Sequence, residues 1–476
     1  MCTSIACGKK ASEGGVVLIA RNEDYPENNW NKYMKFRKYP PYTRGQDKWQ
    51  LGNGLTVPTP ENCFSYCSMP DAQGAEEAVC DIGDHFLFEA RGINEKDVAV
   101  TATNSMQANE KALAADPFLP SSGIEESVIA TLLLPQAVNA RHAVRLLGQY
   151  VTEYGATEAN GVLMADENEA WYFEIGSCRH WIAVRIPDDK YLVVSNSMRI
   201  HDVDLTDTEH VLSSDGLFDF VIEHGLLEKP KQNKFDFATA FGQQEKSESG
   251  QTDKYYNTDR IWLAQNILSP SQKPEIRQDT YELFLAPDEP ITPVHVMEVL
   301  RSTFKGTPLE HEPDATRPIG VVRTLQSHIM TVDGRLPAGL KGVIWQALGS
   351  PLSSVYVPFY TLADEIPDSY ALGDSTSFTE KSIWWIWRGL FALADQMDEQ
   401  NKSDGLLTYC KTWENYFIES QKAMNQVLEQ FSQPDASDAK LMAKTYSTNN
   451  LRLMADAAMQ KYELMMAELS GRQKDR

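Results

Sequence analysis

Once Met1 is removed, Cys2 carries two reactive groups on one residue, a thiol and a free α-amine, and the small side chain at position 2 permits that removal. An unperturbed α-amine titrates near pKa ~8 and a thiol near ~8.5, so a modest environmental shift brings a nucleophile and a base into range of neutral pH. This is the logic of an activated nucleophile with an adjacent base. Further on stands Arg21-Asn22-Glu23-Asp24. A guanidinium near a cysteine favours thiolate over thiol, and a carboxylate three residues later can accept a hydrogen bond from a protonated amine. The same residues also make an ordinary Arg–Asp pair at a strand end, and a cysteine in position 2 is often incidental. Other residues offer different chemistry. His180 and His328 suggest a Cys–His dyad, but the sequence around Cys2 lacks the flanking pattern of such enzymes, and a terminal amine makes a histidine base unnecessary. Both read as packing or pocket residues. Cys63 and Cys67 are spaced like half a metal site, yet no second Cys/His pair accompanies them and structural zinc takes four ligands, so no metal is expected. Trp384, Trp385 and Trp387 read as helix packing.

The elements that must position these groups follow from hydrophobic patterning. Thr3 to Gly8 is short and half apolar, Ser12 to Gly15 makes a turn, and Val16 to Ala20 reads as a buried strand. A hairpin built from them returns the chain to its start and sets Cys2 beside Arg21. Asp97 to Thr103 alternates as a half-buried strand does, and Ala137 to Tyr154 has helical spacing. Gly161–Ala165, Ala170–Ile175, Trp181–Ile186 and Tyr191–Ser195 read as a meander, with turns at Asp166–Glu169, Gly176–Cys178 and Pro187–Asp189 short enough to make consecutive strands antiparallel neighbours. Thr258 opens a helix that buries Ile261, Ala264 and Leu268, and Pro293 to Phe304 forms another. Val321–Val332 and Val355–Tyr360 are further strands. Phe378–Met397, Gly405–Phe431 and Ala436–Leu469 are long helical patterns with little β signal. The whole reads as an α+β body over residues 1–377 with a helical C-terminal region, 378–476, packed on it. The polar stretch Gln243 to Asp253 reads as a mobile loop, and there is no internal repeat.

Composition bounds the function. Over 476 residues, 42% are apolar and 23% charged, close to globular averages. The net charge of -23 opposes binding to phosphate backbones and anionic lipid, which argues against nucleic acid or membrane as the main partner. The most apolar run, Ile383 to Ala394, is interrupted by Arg388 and falls short of the roughly 18 residues a bilayer span needs. Cys2 and Thr3 are followed closely by Lys9, Lys10 and Glu13, unlike a signal peptide, so a cytoplasmic location is expected. Seven cysteines (2, 7, 63, 67, 80, 178 and 410) are few and odd in number, which suits reduced thiols.

Met1-Cys2-Thr3 followed by Arg21-Asn22-Glu23-Asp24 resembles the N-terminal nucleophile hydrolases that include conjugated bile acid hydrolase and penicillin V acylase. The segments Ala165–Glu174, His180–Asp189 and Val194–Ile200 resemble more closely the cysteine dipeptidases of the dipeptidase A type, as do Val357–Tyr360 and Ser382–Trp385. The resemblance covers most of the chain. It implies an αββα sandwich of antiparallel sheets, with Cys2 as nucleophile and proton shuttle flanked by Arg21 and Asp24. It also implies Asn196 as the amide donor to a tetrahedral oxyanion, a contribution of ~3 kcal/mol, and Arg260 as a second active-site arginine. Asn104 is a further amide donor, although relatives often carry another polar residue there. Singly, each of these also reads as a turn residue, a first-turn surface residue or a helix cap.

The reaction so implied is amide hydrolysis through a thioester, without cofactor, on a small peptide. Two alternatives stay open: the same chemistry on an acylated amino acid, a conjugated bile salt or a β-lactam side chain, and a catalytically silent binding protein on the same scaffold. Whether the chain forms a homo-oligomer is not readable from sequence.

Overall fold

The computed structural model describes residues 2–25, 31–38, 48–60, 63–72, 88–243, 253–278, 280–312, 317–373, 377–396, 404–431 and 436–474. Except for its two end residues, the loop expected over Gln243–Asp253 lies outside them.

Strands β1 (Thr3–Cys7) and β2 (Val17–Asp24) form the N-terminal hairpin. β3 (Ala99–Met106) leads through helices α1 (Glu126–Leu133) and α2 (Ala140–Tyr154) to β4 (Ala159–Ala165), β5 (Ala170–Ile175), β6 (Trp181–Arg185) and β7 (Tyr191–Val194). Helices α3 (Thr258–Leu268) and α4 (Pro293–Leu300) precede β8 (Thr324–Val332), β9 (Gly342–Leu348) and β10 (Val357–Tyr360). The chain closes with α5 (Ile383–Asp395), α6 (Asp404–Leu428) and α7 (Ala436–Lys474).

Two antiparallel sheets result. In the seven-stranded sheet Phe284–Leu285 is followed by β7, β1, β2, β8, β9 and β10. In the eight-stranded sheet Val211–Ser213 is followed by β6, β5, β4, β3, Glu89–Asn94, Tyr66–Pro70 and Lys35–Arg37. β2 lies against β3, β4 and β5, so the sheets pack face to face. Helices α1 and α2 cover the outer face of the eight-stranded sheet, and α4 to α7 lie against β2, β8, β9 and β10 of the other. The order of layers is helix, sheet, sheet, helix, as expected for an αββα sandwich. No helix among the described residues is long and apolar enough to cross a membrane.

One expectation fails. The turn Pro187–Asp189 is as short as those before it, yet it does not join neighbours: β6 ends in the eight-stranded sheet, while β7 pairs with β1 in the other, Ser4 opposite Val194 and Cys7 opposite Tyr191. The turn is held by the first hairpin. Asp188 O accepts hydrogen bonds from the backbone N–H groups of Lys10 (2.7 Å) and Ala11 (2.9 Å), and Gly8 N–H donates to Lys190 O at 3.0 Å. A Cβ on Gly8 would stand 2.6 Å from Asp188 O, so only glycine lets the backbones come this close. The crossing makes β1 an interior strand.

β2 shows what the fold does for chemistry. Its first half, Val17 to Ala20, is apolar and buried on both faces, where no alternation is needed. Its second half, Arg21 to Asp24, is equally buried although charged or polar. Burial tolerates such groups only where each finds a partner.

The C-terminal helices are bound to the sheet by polar contacts as well as apolar ones. Trp384 Nε1 donates to Leu325 O at 2.7 Å, Tyr360 N–H donates to Ser447 Oγ at 2.9 Å, and Asn450 Nδ2 donates to Pro358 O at 3.2 Å. Arg301, at the end of α4, makes a bidentate pair with Glu414 of α6, two bonds of 2.8 Å with both side chains buried. Glu414 also accepts from Tyr356 N–H at 3.1 Å. Removing one partner of such a pair leaves an uncompensated buried charge, so Glu414→Ala should destabilise the protein by about 3–5 kcal/mol. Urea denaturation measures this; a loss below about 1 kcal/mol would mean the guanidinium finds another partner or water.

Candidate active site

The hairpin register places Ser4 opposite Arg21 and Thr3 opposite Asn22, with Cys2 one residue before β1. Side chains alternate along β2, so Arg21 and Glu23 point to one face and Asn22 and Asp24 to the other. Arg21 lies between the sheets. Its Nη2 donates to Cys2 Sγ at 3.2 Å and to Glu126 Oε1 at 2.6 Å, and its Nη1 donates to Ala102 O on β3. Burial alone would lower the Arg21 pKa, but Cys2, Glu126 and Glu23 around it hold it above the ordinary guanidinium value. Only 1% of Arg21 and 2% of Cys2 is exposed, so no bulk water competes for this contact.

A second arginine grips the same terminus from behind. Arg260 Nη1 donates to Cys2 O at 2.7 Å and to Thr3 Oγ1 at 3.0 Å, and its Nη2 donates to Asn196 Oδ1 at 3.0 Å and Asn257 Oδ1 at 2.8 Å. Complete burial and the neighbouring Arg317 push its pKa down to about 9, with Tyr256, Asp24 and Cys2 acting the other way, so it stays charged at neutral pH. Asp24 is bound by Arg317 and by the Thr324 hydroxyl. Its expected partner was the α-amine; the contacts described for its carboxylate are with these two groups.

The two asparagines differ. Asn196 Nδ2 donates to Ser105 O at 2.9 Å, and its backbone N–H donates to Asn257 Oδ1 at 2.8 Å. One of its two amide hydrogens is thus occupied. Asn104 is 1% exposed and accepts from Ser4 Oγ at 2.8 Å through Oδ1, while its Nδ2 is a buried donor without a partner among the described atoms. Asn104 stands within β3 opposite Gly161, beside a bulge between Ala102 and Asn104, rather than after a strand ending at Thr103. A bulge next to a site re-aims the side chains around it.

The remaining candidates lie elsewhere. His328 is opposite Arg21 on β8, and its ring nitrogens meet Gln326 Oε1 (3.0 Å) and Thr101 Oγ1 (2.9 Å). Burial, then Arg91, Arg21 and Lys32, hold its pKa well below the ordinary value, so the ring is neutral. His180 pairs with Ser214 Oγ at 3.1 Å and packs on Phe220, ring centres 4.0 Å apart. Trp384 and Trp385 pack edge to face at 4.8 Å within α5. Among the described residues no group of three or more His, Cys, Asp or Glu side chains could hold a metal ion.

Several residues of the site were absent from the sequence reading. Glu126 and Arg317 come from distant parts of the chain, with no local pattern to announce them. Asn257 left a signal: an Asx residue ahead of a helix start, three before Arg260. Glu23, on the same face as Arg21, is bound by Lys32 Nζ and Gln326 Nε2 at 2.8 and 2.7 Å. Burial opposes its charge, but Lys32 and Arg21 keep its pKa below the ordinary carboxylate value.

Residues 1–406 match the sequence pattern described as "Peptidase family C69". The chain belongs to this peptidase family. A C69 relative from Latilactobacillus sakei named "Probable dipeptidase" is 34% identical over 406 residues, covering 83% of this chain and 81% of that protein. One from Bifidobacterium longum named "Dipeptidase" is 31% identical over 428 residues, covering 83% and 77%. A solved conjugated bile acid hydrolase from Clostridium perfringens is 13% identical with a TM-score of 0.29, covering 73% of this chain and 89% of that one, an overlap too loose to carry an argument. The C69 chain is a hydrolase of the peptidase class.

Glu174, on β5, steadies the loop that carries Asn196. It accepts from Arg199 N–H at 2.6 Å and from Ile200 N–H at 3.4 Å, and complete burial pushes its pKa up to about 7. The unfolded carboxyl titrates near the model-compound value of 4.5. The folded state therefore holds its proton longer, so stability is highest below that value and falls as pH rises towards about 7. Glu174→Gln should flatten this slope. Urea midpoints at pH about 5 and about 8 measure it, and identical slopes in both proteins would contradict the assignment.

Proposed function

We propose that this C69 peptidase is a cysteine-type dipeptidase whose nucleophile is Cys2, exposed as the terminal residue when Met1 is removed. The observation that carries the reading is the double grip on Cys2: Arg21 at 3.2 Å from Sγ and Arg260 at 2.7 Å from the carbonyl oxygen, both guanidinia buried. A structural cysteine does not need one guanidinium on its sulfur and another fixing its carbonyl. The substrate class is supported by the relatives named as dipeptidases.

The Cys2 thiolate attacks the peptide carbonyl, forming the C–S bond and a tetrahedral oxyanion. The α-amine, having taken the thiol proton, passes it to the leaving amine as the C–N bond breaks. Water then attacks the thioester with the same amine as base, releasing the acid and restoring the thiol. Asn104 is the better candidate for the oxyanion donor, because its Nδ2 is buried with no partner among the described atoms, whereas Asn196 Nδ2 already gives one of its two hydrogens to Ser105 O. Asn196 also acts as a brace between Arg260 and β3. Asp24 balances the positive charge of Arg317 and Arg260 around the terminus. No cofactor takes part.

Cys2→Ser should fold normally and lose most of its turnover of dipeptides, and intact-mass analysis of the active protein should show Met1 gone and a substrate-derived acyl group on residue 2. Full activity in a correctly trimmed Cys2→Ala protein would end the proposal. Asn104→Ala should reduce kcat by about 10²–10³ with little change in KM, the usual cost of one oxyanion donor; a KM effect alone would assign Asn104 to substrate binding.

A further inference from the structure

We infer that Glu126 anchors the free α-ammonium of the substrate's first residue, and so makes the site select unblocked dipeptides over N-acylated compounds. The inference rests on the dipeptidase reading above and adds to it the feature that recognises one end of the substrate.

Glu126 is the first residue of α1. Its Oε1 takes a hydrogen bond of 2.6 Å from Arg21 Nη2, the same nitrogen that donates to Cys2 Sγ at 3.2 Å. Sulfur and carboxylate oxygen therefore lie no farther apart than these two bonds laid end to end. The other oxygen, Oε2, accepts a long bond of 3.3 Å from Ser105 Oγ. Glu126 also marks the way in: its side chain is 18% exposed beside an Arg21 side chain that is 1% exposed.

The substrate's own dimensions meet this geometry. In a dipeptide the ammonium nitrogen is two bonds from the carbonyl carbon under attack, about 2.5 Å away. The attacking sulfur approaches that carbon to about 3–3.5 Å. The ammonium must consequently sit within a few ångströms of Cys2 Sγ, in the shell that Glu126 occupies, where a charge-assisted hydrogen bond forms at about 2.7–2.9 Å. The carboxylate is held for the task. Glu126 N–H donates to Glu158 Oε1 at 2.8 Å, and Glu158 Oε1 accepts from Asn160 Nδ2 at 2.7 Å. Burial first, and the charges of Glu126 and Glu125 among the smaller causes, raise the Glu158 pKa, a sign of a surplus of carboxylates that an incoming cation relieves. An N-acyl substrate brings no cation, and its neutral amide N–H repays the desolvation of Glu126 less well than an ammonium does. The same pocket thus attracts the right substrate and penalises the wrong one.

A competing role for Glu126 is to orient Arg21 and nothing more, and substrate pairs separate the two. Alanyl-alanine is compared with propionyl-alanine, which has hydrogen in place of the ammonium, on the wild-type protein and on Glu126→Gln, whose amide oxygen can still accept from Arg21. The wild type should favour alanyl-alanine by about 10- to 100-fold in kcat/KM, the worth of one charge-assisted hydrogen bond. In Glu126→Gln this preference should fall to near unity, chiefly through a higher KM for alanyl-alanine, while propionyl-alanine loses much less in kcat/KM than alanyl-alanine does. An equal loss on both substrates would assign Glu126 to positioning Arg21 and overturn the inference. Equal turnover of both substrates by the wild type would overturn it without need of the variant and leave the dipeptidase reading intact. Absence of turnover on any free dipeptide would sink both.

Discussion

The site depends on a guanidinium kept away from water. Arg21 sits between two sheets, where a charge is costly unless its donors are used, and its donors reach the Cys2 sulfur, a helix-borne carboxylate and a backbone carbonyl of the opposite sheet. Position and chemistry are therefore one problem solved by one side chain. Arg21 can occupy this place only if β3 and α1 are where they are, and Cys2 then meets a cation in a direction set by the whole sandwich. Arg260 repeats the arrangement on the other side, linking the Cys2 carbonyl to the Asn196–Asn257 pair.

Around this pair of arginines the polar groups fall into two sets divided by the seven-stranded sheet. On the inner side Arg21, Glu23, Lys32, Gln326 and His328 share partners between the sheets. On the other, Asn22 donates to Leu300 O and Ile319 O, and Asp24 meets Arg317 and Thr324. β2 alternates between the two sets, so four consecutive residues serve both. Buried polar networks hold a unique geometry when their members are satisfied, and Asn104 Nδ2 and Arg21 Nε are the two buried donors of this site that have no partner among the described atoms.

How far the sequence discloses this architecture depends on the range of each contact. The Cys2–Arg21 contact is legible, because a short hairpin fixes it locally, and the periodic helices α2, α3 and α5 to α7 are legible for the same reason. The roles of Asn196 and Asn104 came from resemblance, and no sequence pattern reveals that one amide already donates to Ser105 O while the other has no described partner. The crossing at Pro187–Asp189 escaped because a turn between neighbours and a turn between sheets have the same length and composition; what differs is Gly8, 180 residues earlier in the chain, pressed against it. Glu126 and Arg317 join residues 105 and 293 positions away, beyond any local rule. β9 also escaped.

The placement of β1 has a consequence for how the protein is made. β1 is flanked by β7, ending at Val194, and by β2, which in turn leans on β8, ending at Val332. Contacts of such long range close late and slowly, since loop entropy must be overcome first. The buried surroundings of Cys2 are thus complete only once the chain has been made as far as Val332.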